Sequence, residues 1–168
     1  MSGETTTGTA TDEVASELAD IVLDIAEGRT DLAAVAGLTD RDLEAIYAVG
    51  HGLYTAGKYD EALNFFQVLC ICRQTESRFW FGLGACAQVL GDAGTALRAY
   101  GMAAVFDTEN PQISLRAAEC LIKLGDATTA RTAFEAVVEL TEGKPQFTAY
   151  RERARLAIQQ LDRKGAAA

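Results

Sequence analysis

A repeat of 34 residues is the feature of this sequence that most narrows what it can fold into. Gly57, Gly91 and Gly125 are 34 residues apart, and four further columns of similar residues share that spacing. Five columns in phase across three units are not expected by chance, so the sequence predicts a tandem repeat. The other columns are Ala62, Ala96 and Ala130; Phe66, Tyr100 and Phe134; Gly50, Gly84 and Ala118; and Leu53, Ala87 and Leu121.

Each column has a role in a unit of two helices. The glycines end the first helix, since a left-handed C-cap costs little only for glycine. The small residues let the helices approach closely, and the aromatic residues fill the space between successive units. A helix–turn–helix unit of 34 residues is the tetratricopeptide repeat. We therefore predict an all-α fold, with three tandem helix pairs forming an α-solenoid over residues 43–144.

Both ends of such an array carry an apolar face that needs a cover. Pro145 can begin a capping helix over residues 145–163, followed by a flexible tail at 164–168. Residues 1–11 are expected to be disordered, and residues 12–42 to form an N-terminal helical region. Its apolar stripe has to be buried, either in a dimer or against the chain's own first repeat or groove. The stripe consists of Val14, Leu18, Ile21, Val22 and Ile25.

Composition excludes several classes of protein. The net charge is −9, and residues 1–42 hold ten acidic and two basic residues, so nucleic acid is not an expected partner. No apolar stretch reaches the roughly 18–20 residues of a membrane span, which argues against membrane insertion. The first residues lack the basic start and apolar run of a signal peptide. A cytoplasmic protein with reduced cysteines is the expectation.

No group of residues in the sequence predicts catalysis or a metal site. His51 is the sole histidine, and no serine or cysteine at a matching position accompanies it. Cys70 and Cys72 have the wrong spacing for a zinc knuckle, and no second pair follows. The pair Gly82 and Gly84 lies inside a predicted helix with no strand before it, which excludes a phosphate loop. We expect neither an enzyme nor a bound cofactor.

The predicted concave surface is instead suited to binding a peptide. In a tetratricopeptide array the first helix of each unit lines the concave side, and here its inward positions are mostly aromatic or apolar. An extended peptide could place apolar side chains there, each contributing roughly 1.5–3 kcal/mol before ordering costs. The predicted groove residues are Tyr47, His51, Tyr54, Phe81, Ala85, Gln88, Leu115, Glu119 and Ile122.

Five longer motifs resemble a known family, the class II chaperones of bacterial type III secretion. They are Leu53-Tyr-Thr-Ala-Gly-Lys-Tyr59, Phe65-Phe-Gln-Val-Leu-Cys70, Ser77-Arg-Phe-Trp-Phe-Gly-Leu-Gly-Ala-Cys86, Ala117-Ala-Glu-Cys-Leu121 and Lys144-Pro-Gln-Phe147.

The resemblance implies a cytoplasmic chaperone of a Gram-negative bacterium, without ATPase activity. Such proteins bind the major and minor hydrophobic translocators separately, keep them soluble and hold a short translocator segment in the groove. Tyr47 and Tyr54 fall on aromatic groove positions of the family, while His51 stands where relatives can carry an aromatic residue. Relatives commonly form homodimers through the region that corresponds to about residues 12–36.

Other functions stay open at this stage. A generic tetratricopeptide adaptor, or a scaffold in another secretion or assembly pathway, would share the repeats but not the clients. An adaptor that clamps a terminal carboxylate needs Lys, Arg or Asn in its groove, and the predicted inward positions supply almost none.

Overall fold

The computed structural model describes residues 6–165, which form α-helices and one short 3-10 turn. The turn, Pro145–Phe147, separates the last two helices. The helices are α1 (Thr6–Ala26), α2 (Leu32–Val35), α3 (Asp40–Thr55), α4 (Tyr59–Cys72), α5 (Ser77–Val89), α6 (Ala93–Phe106), α7 (Pro111–Lys123), α8 (Ala127–Thr141) and α9 (Thr148–Gly165). The predicted all-α repeat fold is confirmed: α3–α4, α5–α6 and α7–α8 are the three helix pairs, and each helix packs against the next.

The repeat glycines end the first helix of each pair. Gly57, Gly91 and Gly125 have φ angles of 77°, 88° and 83°, values that a residue with a Cβ adopts only with strain. The N–H of the residue after each glycine bonds back to the last turn of the helix: Lys58 donates to the Leu53 carbonyl at 2.9 Å, and the later units repeat this bond. The period therefore places a sharp reversal between the helices of every pair.

Aromatic residues and small residues interlock at the helix contacts. Phe66, Tyr100 and Phe134 are buried in the core, as the repeat columns predicted. A Cβ on Gly84 would lie 2.8 Å from the Tyr100 ring, and one on Gly50 would lie 3.1 Å from the Phe65 Cβ. A Cβ at position 84 would clash with the ring, and one at position 50 would make a tight contact, so the two small residues set how closely the helices of a pair approach.

The C-terminal end of the array is covered by α9. Ala154 on α9 is fully buried in one cluster with Phe134 and Val137 of α8. The helical segment reaches Gly165, two residues past the expected boundary at 163, and residues 166–168 lie outside the described range.

The N-terminal helix differs from expectation in its length. It begins at Thr6, so residues 6–11 of the segment expected to be disordered are helical here, and residues 1–5 lie outside the described range. The first helix of the first repeat begins at Asp40, with Thr39 as its N-cap in a capping box with Asp42. Arg73 joins α2 to the repeats through ion pairs with Asp31 at 2.7 Å and Asp40 at 2.6 Å.

The apolar stripe of α1 is largely uncovered. Val14, Leu18 and Val22 are exposed, the last at 63%, while Ile21 and Ile25 are half-buried. No α1 residue from 14 to 26 lines the concave surface of the repeats. Residues 14–26 of the chain's own helix therefore leave the groove open.

Candidate functional site

The concave side of the first two repeats holds a cavity of about 610 Å³, here called the aromatic cavity. Its walls come mainly from the first helices, α3, α5 and α7, and its floor from rings of the second helices. The lining residues are Tyr47, His51, Tyr54, Phe66, Phe81, Gly82, Ala85, Gln88, Val89, Tyr100, Gln112, Arg116 and Lys123.

Tyr47 is held in place on several sides. Its ring centroid lies 5.9 Å from those of Phe66 and Phe79, and the exposed imidazole of His51 stacks beside it at 6.1 Å. The Arg78 guanidinium lies 5.1 Å above the ring, a cation–π distance. A tyrosine supported in this way is ordered before a ligand arrives, which lowers the entropy cost of binding.

Arg78 is itself fixed by two carboxylates. It pairs with Glu44 of α3 at 2.6 Å and with Glu76 at 3.0 Å. The hydrogen bonds that Arg78 donates to these two carboxylates raise the pKa of Arg78, and the bond to Glu44 lowers the pKa of Glu44. Both side chains of the Glu44 pair are about half exposed, so its contribution to stability is small and its main effect is to position Tyr47.

Two further half-buried rings of the cavity, those of Tyr54 and Phe81, also pack against a neighbour. Tyr54 contacts Tyr59 edge to face at 5.2 Å, and Phe81 contacts Tyr100 at 5.5 Å. Tyr54 and Phe81 are half-buried, so each presents part of its ring to the cavity. The result is a preformed aromatic wall with open space beside it.

A hydrogen-bonded network crosses the concave surface from α6 to α9. The Tyr100 hydroxyl donates to the Gln88 Oε1 at 2.8 Å, and the Gln88 amide donates to the Glu119 Oε2 at 3.3 Å. Arg116 bonds the same Glu119 oxygen at 3.3 Å, and Arg153 of α9 bonds the other at 2.6 Å. Burial raises the pKa of Tyr100, which keeps its hydroxyl a donor at neutral pH.

A second cavity, of about 590 Å³, lies beyond this network and is here called the terminal cavity. Gln88 and Lys123 line both cavities, so the two adjoin. Apolar atoms are available to a ligand here too, since Leu156 is 57% exposed and Ile122 is 37% exposed. The terminal cavity is lined by Gln88, Glu119, Ile122, Lys123, Phe134, Arg153, Leu156, Ala157 and Gln160.

Eight of the nine predicted groove positions lie in these cavities. Glu119 and Ile122 line the terminal cavity, whereas the aromatic cavity holds Tyr47, His51, Tyr54, Phe81, Ala85 and Gln88.

The ninth predicted position, Leu115, lies elsewhere. Leu115 is 2% exposed and buried with Phe134 and Ala154 in the core of the third repeat. At the equivalent position, the longer rings of Tyr47 and Phe81 extend into the aromatic cavity. The leucine side chain is shorter and ends within the contact between helices.

Sequence reasoning missed the basic residues of the site. Arg116 falls in the same repeat column as Gly82, and Lys123 in the column of Val89. Both columns line the aromatic cavity, but neither holds residues of one chemical type. Their variable chemistry hid them from a search for repeated residues, and the expectation of almost no Lys or Arg in the groove is corrected.

The cysteines pack as small apolar side chains. Cys70, Cys86 and Cys120 are buried free thiols, and Cys72 is half-buried. Burial raises the pKa of Cys70 to about 12 and that of Cys86 to about 11, so neither is a reactive thiolate at neutral pH. In the part of the chain that the structure describes, no cluster of three His, Cys, Asp or Glu could hold a metal ion. The helices described there are also too short or too polar to cross a membrane.

Known proteins share both the sequence and the architecture. The tetratricopeptide repeat family model matches residues 43–74. Low calcium response locus protein H of Yersinia pseudotuberculosis is 34% identical over 121 residues, 72% of each chain. The type III secretion translocator chaperone SycD of Yersinia enterocolitica, solved as an alternative dimer, is 33% identical with a TM-score of 0.72, covering 76% of this chain and 96% of SycD. The chain belongs to the type III secretion translocator chaperones.

Other structures of translocator chaperones contain a translocator segment. SycD has been solved with a peptide of the translocator YopD, at 33% identity and a TM-score of 0.72, covering 76% of this chain and 97% of that one. PcrH, a protein of Pseudomonas aeruginosa, has been solved with the chaperone-binding region of PopD. That PcrH chain is 36% identical with a TM-score of 0.73, covering 77% of this chain and 97% of its own. A PcrH complex with the chaperone-binding region of PopB is 38% identical with a TM-score of 0.68, covering 72% and 98%.

Proposed function

We propose that this protein binds hydrophobic translocators of a type III secretion system in the cytoplasm of a Gram-negative bacterium and keeps them soluble. An extended segment of the client lies in the concave groove, with apolar side chains in the aromatic cavity. The protein acts by binding alone, without catalysis and without a cofactor. Clients of both classes, the major and the minor translocator, are expected to use the same groove.

The open aromatic cavity carries this proposal. Tyr47, Tyr54 and Phe81 present ordered, half-buried rings to about 610 Å³ of space that residues 14–26 of α1 do not line. Preformed apolar walls of this kind suit a segment that has to be shielded from water, and they require little reorganisation on binding. The chain's relatives SycD and PcrH have been solved with translocator segments, which supports the same class of client here.

Replacing Tyr47, Tyr54 and Phe81 together with alanine is expected to remove client binding. Loss of three apolar anchors should weaken the affinity by about a hundredfold or more, because burial of each ring contributes on the order of 1.5–3 kcal/mol before ordering costs and every 1.4 kcal/mol is a factor of about ten. Co-expression with the translocators should then leave the client in the insoluble fraction. The measurement is the soluble client recovered with the tagged chaperone.

The matched control is Phe106→Ala, since Phe106 is an exposed aromatic residue of α6 that lines neither cavity. Circular dichroism should show that the triple variant keeps its helices. A folded triple variant that still holds the client at wild-type affinity would remove the aromatic cavity from the mechanism.

We also propose that two copies associate through α1. Val14, Leu18 and Val22 of its stripe are exposed, and Ile21 and Ile25 are half-buried, so each copy has a largely uncovered apolar face. A symmetric dimer would bury this face on both chains at once. The relative SycD, solved as a dimer, supports a homodimer as the state of this protein.

Val22→Asp is expected to shift the protein from dimer to monomer. The change places a carboxylate in the interface twice, once for each chain, so the dissociation constant should rise by about tenfold or more. Val105→Asp is the matched control, because Val105 on α6 is 65% exposed and Val22 is 63% exposed. Light scattering behind size exclusion, over a range of concentrations, measures both. Equal behaviour of the two variants would place the interface elsewhere.

A further inference from the structure

The concave surface becomes basic towards the third repeat. Among residues 14–163, the charged side chains that line its two cavities are Arg116, Lys123 and Arg153, with Glu119 as the one carboxylate. Three cations against one anion leave an excess of two positive charges there. The chain as a whole carries −9, so this excess runs against its general charge.

Two of the three cations already have a partner. Glu119 accepts bonds from Arg116 at 3.3 Å and from Arg153 at 2.6 Å, and it also accepts from the Gln88 amide. These contacts fix Glu119 between the two arginines and tie α7 to α9. One carboxylate thus serves two guanidinium groups, and its charge cannot offset the remaining cation as well.

Lys123 is that remaining cation. It is exposed, it lines both cavities, and it forms no ion pair or side-chain hydrogen bond with any residue in the described range. Its position in the last turn of α7 leaves the ammonium group at the boundary between the aromatic wall and the exposed side chains of Ile122 and Leu156. A flexible lysine at such a boundary can reach a ligand that lies in both cavities.

We propose that the groove selects client segments in which an acidic side chain lies between two apolar anchors. One anchor occupies the aromatic cavity and the other the terminal cavity, beside Ile122 and Leu156. The carboxylate between them pairs with Lys123, with the guanidinium groups of Arg116 and Arg153 nearby. This inference rests on the proposed function and adds to it the chemistry that distinguishes one client segment from another.

The surroundings favour an acidic peptide over other anions. Both cavities have apolar walls, and the positive excess is two charges, whereas binding of nucleic acid draws on many phosphate contacts. A client carboxylate flanked by apolar side chains is complementary, in charge and in surroundings, to the Lys123 ammonium group between the apolar walls of the two cavities. Because Lys123 is exposed, the pair should contribute to selectivity more than to affinity, and salt should weaken it.

A guest-position series tests the inference. The host is a synthetic peptide of the PopD chaperone-binding region, labelled with fluorescein and amidated at its C-terminus so that no terminal carboxylate is present. Asp, Asn or Lys is placed in turn at each position between its apolar residues, and binding is measured by fluorescence anisotropy in low salt. At one position Asp should bind about three- to fivefold more tightly than Asn, and Lys more weakly than Asn.

The decisive variant is Lys123→Glu, which should reverse that preference. At the same position the Lys peptide should then bind more tightly than the Asp peptide, which a merely structural role of Lys123 would not produce. Lys58→Glu is the matched control with the same change of charge. Lys58 is the residue before α4 and lines neither cavity. The change breaks its exposed ion pair with Glu61 at 3.0 Å, at a small cost in stability, while the new carboxylate lies favourably at the helix N-terminus.

The outcomes separate this inference from the proposed function. If Asp, Asn and Lys peptides bind alike at every position while the aromatic triple variant still loses binding, the proposed selection for an acidic side chain is overturned. The proposed binding of the client in the groove is then still supported. The same holds if the preference persists in Lys123→Glu, or if it appears only when the C-terminus is a free acid. If no peptide of the series binds, both proposals are overturned.

Discussion

Gly82→Ala is expected to lower the free energy of unfolding by about 2–3 kcal/mol, although glycine is a poor helix former. A Cβ on Gly82 would lie 2.3 Å from the Phe66 Cε1 and within 2.6 Å of two further ring atoms. Real side chains do not approach so closely, and Phe66 is buried, so its ring has little room to turn away. Either the ring or α5 has to move.

The displacement would also reach the groove. Gly82 and Phe66 both line the aromatic cavity, and the Phe66 ring supports Tyr47 at 5.9 Å. The variant is therefore expected to bind client more weakly than its loss of stability alone predicts. Urea unfolding followed by circular dichroism gives the stability, and anisotropy of a labelled client peptide well below the unfolding midpoint gives the binding.

Gly101→Ala is the control for this prediction. Gly101 lies in the middle of α6, and a Cβ there would meet no atom within 4 Å. Alanine should stabilise that helix by about 0.5–1 kcal/mol, because it removes the backbone freedom that glycine has in the unfolded chain. If Gly82→Ala stabilised the protein to the same extent, the close contact with Phe66 would be contradicted.

The need for glycine at position 82 could not be predicted from the repeat. The period identified Gly84, whose column holds Gly50 and Ala118, because close approach within a helix pair recurs in every unit. Position 82 has Ala48 and Arg116 as its equivalents, and because Ala48 carries a Cβ and Arg116 is large, this column gives no sign that glycine is required. Glycine is required at position 82 because of one contact between successive units, and this contact depends on the side chain that faces it, which is Phe66.

The groove shows the same division between what repeats and what does not. The helix pairs, their turns and the concave position of Tyr47, Tyr54 and Phe81 follow from periodicity, since each unit faces the next in the same way. The hydrogen-bonded network around Glu119 is different, because it joins Tyr100, Gln88 and Arg153, which lie on three helices and at different positions of the repeat. Contacts between residues at different repeat positions cannot be predicted from the period and are seen only in the structure.

Leu115→Ala is expected to destabilise the fold by about 2–4 kcal/mol and to leave the client's contacts intact. Leu115 was predicted to face the groove, but its side chain is buried with Phe134, Val137 and Ala154. Shortening it leaves a cavity where α9 covers the array, and buried leucines replaced by alanine lose both transfer energy and packing. The measurement is urea unfolding of the variant and the wild type.

Ile122→Ala is the variant with which Leu115→Ala is compared, in both stability and client binding. Ile122 lies two turns further along α7 and, at 37% exposed, lines the terminal cavity. Its replacement should cost less than about 1 kcal/mol of stability, because little packing is lost, yet it should weaken client binding if a second anchor sits there.

Leu115→Ala should show the opposite pattern: a lower unfolding midpoint, with near wild-type affinity where the variant is folded. Two apolar residues of one helix, both assigned to the groove by the repeat, would thus separate into one that holds the array together and one that meets the client. If Leu115→Ala kept wild-type stability but bound the client more weakly, Leu115 would be a groove residue. The burial of Leu115 and the packing of α9 on the third repeat would then be contradicted.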